Sequence, residues 1–189
     1  MKPMTADGIR NAAQEFCRPL LESSPYQRMQ WLVLTVVFSA ACFGAMYIFY
    51  ANWSIGLDFQ TIKCMDGTVF LVEKKKPYPQ KGKLFAIRAA NAEPVLKDGQ
   101  LLAKYVRGVP GDVVSISADE VITVNGEVVA KGMPHLHGLN PKQMNKFFGT
   151  RTLGQDEYWM MGVKPLSFDS RYYGPVKLSQ FQGEAHVLF

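Results

Sequence analysis

The residues of this chain with the clearest capacity for chemistry are a lysine, a serine, an acid–arginine pair and a cysteine. Lys104 opens the stretch Lys104-Tyr105-Val106-Arg107-Gly108-Val109-Pro110-Gly111-Asp112, which runs into the alternating Val113-Val114-Ser115-Ile116. Pro-Gly and Gly-Asp are strong turn signals, so this reads as strand, tight turn, strand. A strand lysine fixed by a rigid turn can point inward, and burial favours its uncharged amine. Lys104 is therefore a candidate general base, against the plainer reading of a solvated lysine beside a hairpin. Ser167-Phe168-Asp169-Ser170-Arg171 supplies a hydroxyl and an acid–base pair two residues apart. Cys64 is the only cysteine beyond residue 50; the others are Cys17 and Cys42. It has no intramolecular partner there, which leaves a small buried hydrophobe or a reactive thiol. A thiol, with pKa near ~8.5, needs less activation than a hydroxyl.

Other candidates are weaker. Ser54 and Thr61 are rival nucleophiles without a supporting pattern. His135 and His137 lack a third ligand nearby, and two histidines alone are a poor metal site, so both read as surface loop residues. His186 falls in a terminal strand. Tyr158-Trp159-Met160-Met161 reads as core.

These residues must be positioned by a chain of 189 residues, enough for one domain and an extension. Trp31 to Tyr50 carries no charge over 20 residues, which matches the ~20 that a helix needs to cross a bilayer. Trp31 at one end and Tyr47, Tyr50 and Trp53 at the other suit interfacial anchors. About 30 residues precede this run, too many for a cleaved signal sequence, so an uncleaved transmembrane helix is expected. Lys2, Arg10, Arg18 and Arg28 precede it, and the first basic residue after it is Lys63, which favours a cytoplasmic N-terminus. The expected organisation is a cytoplasmic segment 1–30, a transmembrane helix 31–50 and an exported β-rich domain 51–189, periplasmic in a Gram-negative cell. Within 1–30, Ile9, Ala13, Phe16 and Leu20 recur at helical spacing and predict an amphipathic helix.

Short β-rich runs fill the exported part: Thr68–Glu73, Lys83–Arg88, Leu101–Val106, Val113–Ser117, Val121–Val124, Glu127–Ala130, Tyr158–Val163 and Glu184–Phe189. Asn125-Gly126 predicts a hairpin between the fifth and sixth of these runs, Val121–Val124 and Glu127–Ala130. Residues 131–157 read as an insertion with one short helix, Pro141–Phe148. The fold class expected is an all-β domain of short antiparallel strands behind one N-terminal helix. The net charge of +5 is spread along the chain. Its one basic block, Lys74-Lys75-Lys76, precedes Pro77 and Pro79 and reads as a solvated turn. No nucleic-acid motif is present.

Lys104-x-x-x-Gly-x-Pro-Gly-Asp, the Val-Asn-Gly hairpin and Ser-x-Asp-Ser-Arg-Tyr-x-Gly, in this order, resemble the type I signal peptidases over residues 60–189. The likeness is greatest to their conjugative-transfer branch, the conjugative leader peptidases. The resemblance implies a membrane-bound endopeptidase with a lysine base and no metal or other cofactor. It implies leader-bearing precursors as partners, a pilin or another conjugation component among them, at the inner membrane. On this resemblance Lys104 is the general base, Ser167 orients it, and Asp169 and Arg171 brace the site. Gly108, Pro110, Gly111 and Asp112 form the turn after the base.

The chain departs from the family at the nucleophile. Where the family has Ser-Met-Pro, this chain has Cys64-Met65-Asp66, with Phe70 at the aromatic six residues on. Cys64 takes the serine's place, Ile62 stands where a hydroxyl assists the oxyanion hole, and Lys83 follows Gly82 where an acid is frequent. Two functions are therefore expected from the sequence: a Cys64/Lys104 leader peptidase, or a degenerate relative that binds the export machinery without cleaving.

Overall fold

The computed structural model describes residues 23–58, 65–74, 78–90, 92, 95–136 and 145–189. Cys17, Thr61, Cys64, His137 and the expected amphipathic helix around Ile9–Leu20 lie outside the described residues, as does most of the expected helix Pro141–Phe148. The chain divides into two units, Met1–Phe49 and Tyr50–Phe189.

Helix α1 spans Pro25–Asn52, six residues earlier than the uncharged run predicts. Its start is set by capping and not by hydropathy. Ser24 Oγ accepts from Gln27 N (3.3 Å), and Gln27 Oε1 accepts from Ser24 N (3.0 Å), a reciprocal capping box with Pro25 at the first helical position. No residue of α1 is buried. A helix of 28 residues rises about 42 Å, beyond the ~30 Å hydrocarbon core of a bilayer. Its length and apolar composition suit a membrane span.

The Tyr50–Phe189 unit holds eleven strands among the described residues: β1 Trp53–Leu57, β2 Val69–Glu73, β3 Leu84–Arg88, β4 Leu101–Gly108, β5 Val113–Ile116, β6 Val121–Val124, β7 Glu127–Lys131, β8 Gly149–Thr152, β9 Glu157–Met161, β10 Val176–Lys177 and β11 Phe181–Val187. They form a seven-stranded sheet in the order β1-β2-β11-β3-β4-β9-β10 and a four-stranded sheet in the order β7-β6-β5-β8. Every pairing is antiparallel.

The expected β runs form strands with ends moved by a few residues. Four features carry no β signal in the sequence: β1, β8, β10 and the first part of β11. β8 (GTRT) is exposed at all four residues, so it has no apolar alternation to read. It lies within 131–157 and pairs with β5, so that stretch is in part sheet. Helix α2, Ser170–Tyr173, is also absent from the sequence reading; Asp169 caps it by accepting from Arg171 N. The Asn125-Gly126 turn joins β6 to β7 as expected. Both residues have positive φ (53° and 84°), as a type I′ turn requires.

β3 is buried on both faces, so its four apolar residues are continuous. Phe85 and Ile87 pack into a core with Leu102, Val106, Tyr158 and Met160. Leu84 and Ala86 pack with Met65, Phe70, Val72 and Ala185. β9 likewise serves two cores. Tyr158 and Met160 join the first, while Trp159 and Met161 join Val114, Ile122, Met133 and Leu136 under the small sheet. The expected core role of Tyr158–Met161 is realised in this way.

Candidate active site

The turn after Lys104 is not a hairpin. β4 belongs to the large sheet and β5 to the small one, so Val109–Asp112 carries the chain between sheets. Asp112 organises the turn. Its Oδ2 accepts from Val109 N (3.0 Å), and its backbone N donates to Val109 O (3.0 Å). Its Oδ1 accepts from Asn125 Nδ2 (2.7 Å), and Lys81 Nζ lies 3.7 Å from Oδ2. Partial burial raises its pKa, but the Val109 N–H, the Asn125 amide and Lys81 outweigh it, so the carboxyl sits below its ordinary range. Gly111 has φ +88°, and a Cβ on Gly108 would lie 2.9 Å from Leu153 Cδ1 and 3.0 Å from Trp159 Cβ. The glycines are thus required by backbone conformation at one position and by close approach at the other.

On β4 the buried positions alternate as Leu102, Lys104, Val106 and Gly108. Lys104 therefore shares the inward face, and it is 1% exposed. Its Nζ donates to Ser167 Oγ at 2.8 Å. Ser167 is fully buried. Among the described residues Lys104 has no ion-pair partner, and burying an amine without one costs free energy, which makes a purely stabilising role a poor account of it.

Ser167 sits between β9 and α2. Arg171 fixes this segment by a bidentate pair with Asp169, Nε to Oδ1 at 2.8 Å and Nη2 to Oδ2 at 3.0 Å. The same Nη2 donates to Ser167 O (3.0 Å), and Nη1 donates to Gly132 O (3.0 Å). Asp169 Oδ2 also accepts from Gly162 N (3.1 Å). Ser170 Oγ accepts from Met160 N (2.9 Å), tying α2 to β9. Asp169 is 0% and Arg171 4% exposed. The buried pair has its hydrogen-bonding groups satisfied, the condition under which such a pair is tolerable.

Lys104 lines a cleft of about 430 Å³ with Gly56, Asp58, Phe70, Val72, Ala86 and Leu102 among its walls. β9 pairs with β4 only from Tyr105 onward, so among the described residues Leu101–Lys104 have no strand partner on that side. The structure thus brings together Lys104, Ser167, Asp169 and Arg171. Met65 is buried among Phe70, Val72 and Ala86, three residues of the cleft wall. Asp66 pairs with Lys164 Nζ, and Ser167 N donates to Lys164 O (3.0 Å). Ser54 lies on β1 opposite Val72 and is not among the cleft's lining residues. Lys83, the other departure, lies 3.5 Å from Glu184 Oε1. His186 is exposed beside Trp53.

His135 is the residue whose surroundings differ most from its sequence reading as a loop histidine. It is exposed, yet its Nε2 lies 3.0 Å from Leu166 O, and its ring meets Phe168 and Tyr172 edge-on. Nothing in its local sequence signals this, because the partners lie 31 residues or more away. Burial pushes the Tyr172 phenol up, so it stays protonated at neutral pH.

The family model described as "Signal peptidase, peptidase S26" matches residues 28–189. Signal peptidase I V of Bacillus subtilis (strain 168) is 30% identical over 95 residues, covering 46% of this chain. The match spans 56% of that relative's length. A crystal structure of a signal peptidase I from Enterococcus faecalis V583 aligns with TM-score 0.36 and 23% identity over 59% of this chain and 97% of that one. With the family model covering residues 28–189, from within α1 to beyond the last strand, the chain belongs to the signal peptidase family, peptidase S26.

Proposed function

We propose that the protein is a membrane-anchored leader peptidase in which Cys64 attacks the scissile carbonyl and Lys104 serves as general base. The observation that carries this reading is the buried Lys104 amine, 2.8 Å from Ser167 Oγ and lining an open cleft. Ser167 orients the amine, and the Asp169–Arg171 pair holds Ser167. The thiol proton passes to Lys104 as sulfur bonds to the carbonyl carbon. The tetrahedral intermediate collapses with loss of the new amino terminus, which takes the proton from Lys104. Water then hydrolyses the thioester, again with Lys104 as base. The backbone N–H of Cys64 is the proposed oxyanion donor. Met65, buried behind the cleft-lining Phe70, Val72 and Ala86, supports placing the attack there.

The unpartnered edge of Leu101–Lys104 suits an extended substrate added as a strand, and the apolar lining suits small residues before the cut. The membrane arrangement proposed is residues 1–30 in the cytoplasm, 31–50 across the bacterial inner membrane and 51–189 in the periplasm. The substrate proposed is a pilin precursor or another leader-bearing conjugation component. The loss of the family's serine and of the hydroxyl at Ile62 favours the second reading, a non-cleaving assembly component. Cleavage of a leader-bearing precursor in membranes separates the two. Wild type should cut, Cys64→Ser should retain partial activity, and Cys64→Ala should not cut. Full processing by Cys64→Ala would overturn the cysteine mechanism and direct attention to Ser54.

A further inference from the structure

His135 stands on the short 3-10 turn Pro134–Leu136, which follows β7 of the small sheet. Its neighbours Met133 and Leu136 are 0% and 1% exposed and lock this turn into the core beneath that sheet. Met133 N also donates to Glu120 Oε2 (2.6 Å), and Arg171 Nη1 donates to Gly132 O (3.0 Å). The turn is therefore fixed on both sides of the histidine. From that base His135 reaches the segment that carries Ser167. A carbonyl can only accept, so the 3.0 Å contact with Leu166 O requires a proton on His135 Nε2. The ring stands at 78° to Phe168 (5.5 Å) and 81° to Tyr172 (4.9 Å), and those two rings stack at 4°. His135 N reaches Tyr172 Oη at 3.5 Å. His135 thus grips the residues on both sides of Ser167, one by hydrogen bond and one by ring contact.

We infer that His135 is a positioning residue for the peptidase reaction: it holds the Leu166–Phe168 backbone so that Ser167 Oγ stays in line with Lys104 Nζ. This rests on the peptidase reading above. The Asp169–Arg171 brace secures Ser167 from its C-terminal side, and His135 secures it from the N-terminal side. A merely structural histidine would affect folding. A positioning one affects turnover in a protein that is already folded, because small displacements of a catalytic group are costly.

The test uses the full-length chain in detergent and a quenched fluorescent peptide with alanines before the scissile bond. Wild type, Lys104→Ala, His135→Ala and His135→Gln are compared for kcat, KM and Tm. The glutamine amide can donate to Leu166 O from nearly the same place as Nε2. The expected result for His135→Ala is a kcat lower by about tenfold with KM and Tm unchanged, and His135→Gln recovering most of the loss. Wild-type kcat in His135→Ala, a loss that follows Tm in both variants, or a glutamine variant no better than alanine in kcat would overturn the inference. Should Lys104→Ala be inactive while His135→Ala is normal, the inference alone falls. Should wild type not cut, or Lys104→Ala cut normally, the peptidase reading falls and takes the inference with it.

Discussion

The two flanks of the cleft are held in different ways. On the Lys104 side, Lys104, Ser167, Asp169 and Arg171 are all nearly inaccessible and joined by hydrogen bonds of 2.8–3.0 Å. On the side that follows Cys64, Met65 is anchored by apolar packing, and Asp66 meets Lys164 in an ion pair whose side chains are 74% and 45% exposed. A buried, hydrogen-bonded network has one low-energy arrangement, and within it the Asp169–Arg171 charge pair is strongly penalised for losing a member. A surface ion pair has many arrangements and a small, screened energy. Lys104, the proposed base, is therefore held in one arrangement, while Asp66 is fixed by its apolar neighbour Met65 more than by its charge.

This contrast orders the expected effects. Lys104→Ala should lower cleavage by about 10²–10⁴-fold, the usual contribution of a general base, with no loss of Tm. A parallel collapse of Tm would mean that the lysine is structural and would erase the distinction between the flanks. Arg171→Ala leaves Asp169 as an uncompensated buried charge and should destabilise by about 3–5 kcal/mol in urea titration. Arg171→Lys should not restore this, since an ammonium cannot bridge both Asp169 oxygens, Ser167 O and Gly132 O.

A smaller effect concerns pH. Asp112 titrates below its ordinary range for the reasons given above, and Glu157 does so chiefly through the Gly154 N–H, with Arg151 adding to it against the opposing effect of burial. Both folded-state values are depressed. Their stabilisation is present above the unfolded carboxylate range of about 3.9–4.3 and is lost as pH falls through the folded values. Unfolding free energy should thus decline below about pH 4, and Asp112→Asn should flatten that decline. An unchanged slope in Asp112→Asn would remove the turn from the account of acid sensitivity. The smallest effect expected is for Asp66→Asn, about 1 kcal/mol or less and diminishing with added salt. A large, salt-insensitive loss would show that the Met65–Asp66 flank is as tightly braced as the other.

Much of this was legible in the sequence. Apolar runs set β2 to β7 and β9, because each faces at least one core. β8 was not legible, since a fully exposed strand has no alternation, and neither was β10, with two residues after Pro175. The start of α1 was written in Ser24 and Gln27, a capping signal that hydropathy alone misses. Lys104, Ser167, Asp169 and Arg171 were legible because the turn and the serine segment are local patterns. That Val109–Asp112 crosses between sheets was not, because turn residues do not say which strand pairs with which. His135 was read, together with His137, as a surface loop residue, and its contacts depend on how a turn after β7 meets a loop after β9.

The most direct measurement is the effect of Cys64 alkylation on cleavage. It uses full-length protein carrying Cys17→Ala and Cys42→Ala, treated with iodoacetamide to complete labelling, beside the same protein with Lys104→Ala. The account predicts that cleavage of a leader-bearing precursor falls in step with labelling, and that labelling is slower without Lys104. Undiminished cleavage by fully labelled protein would contradict it.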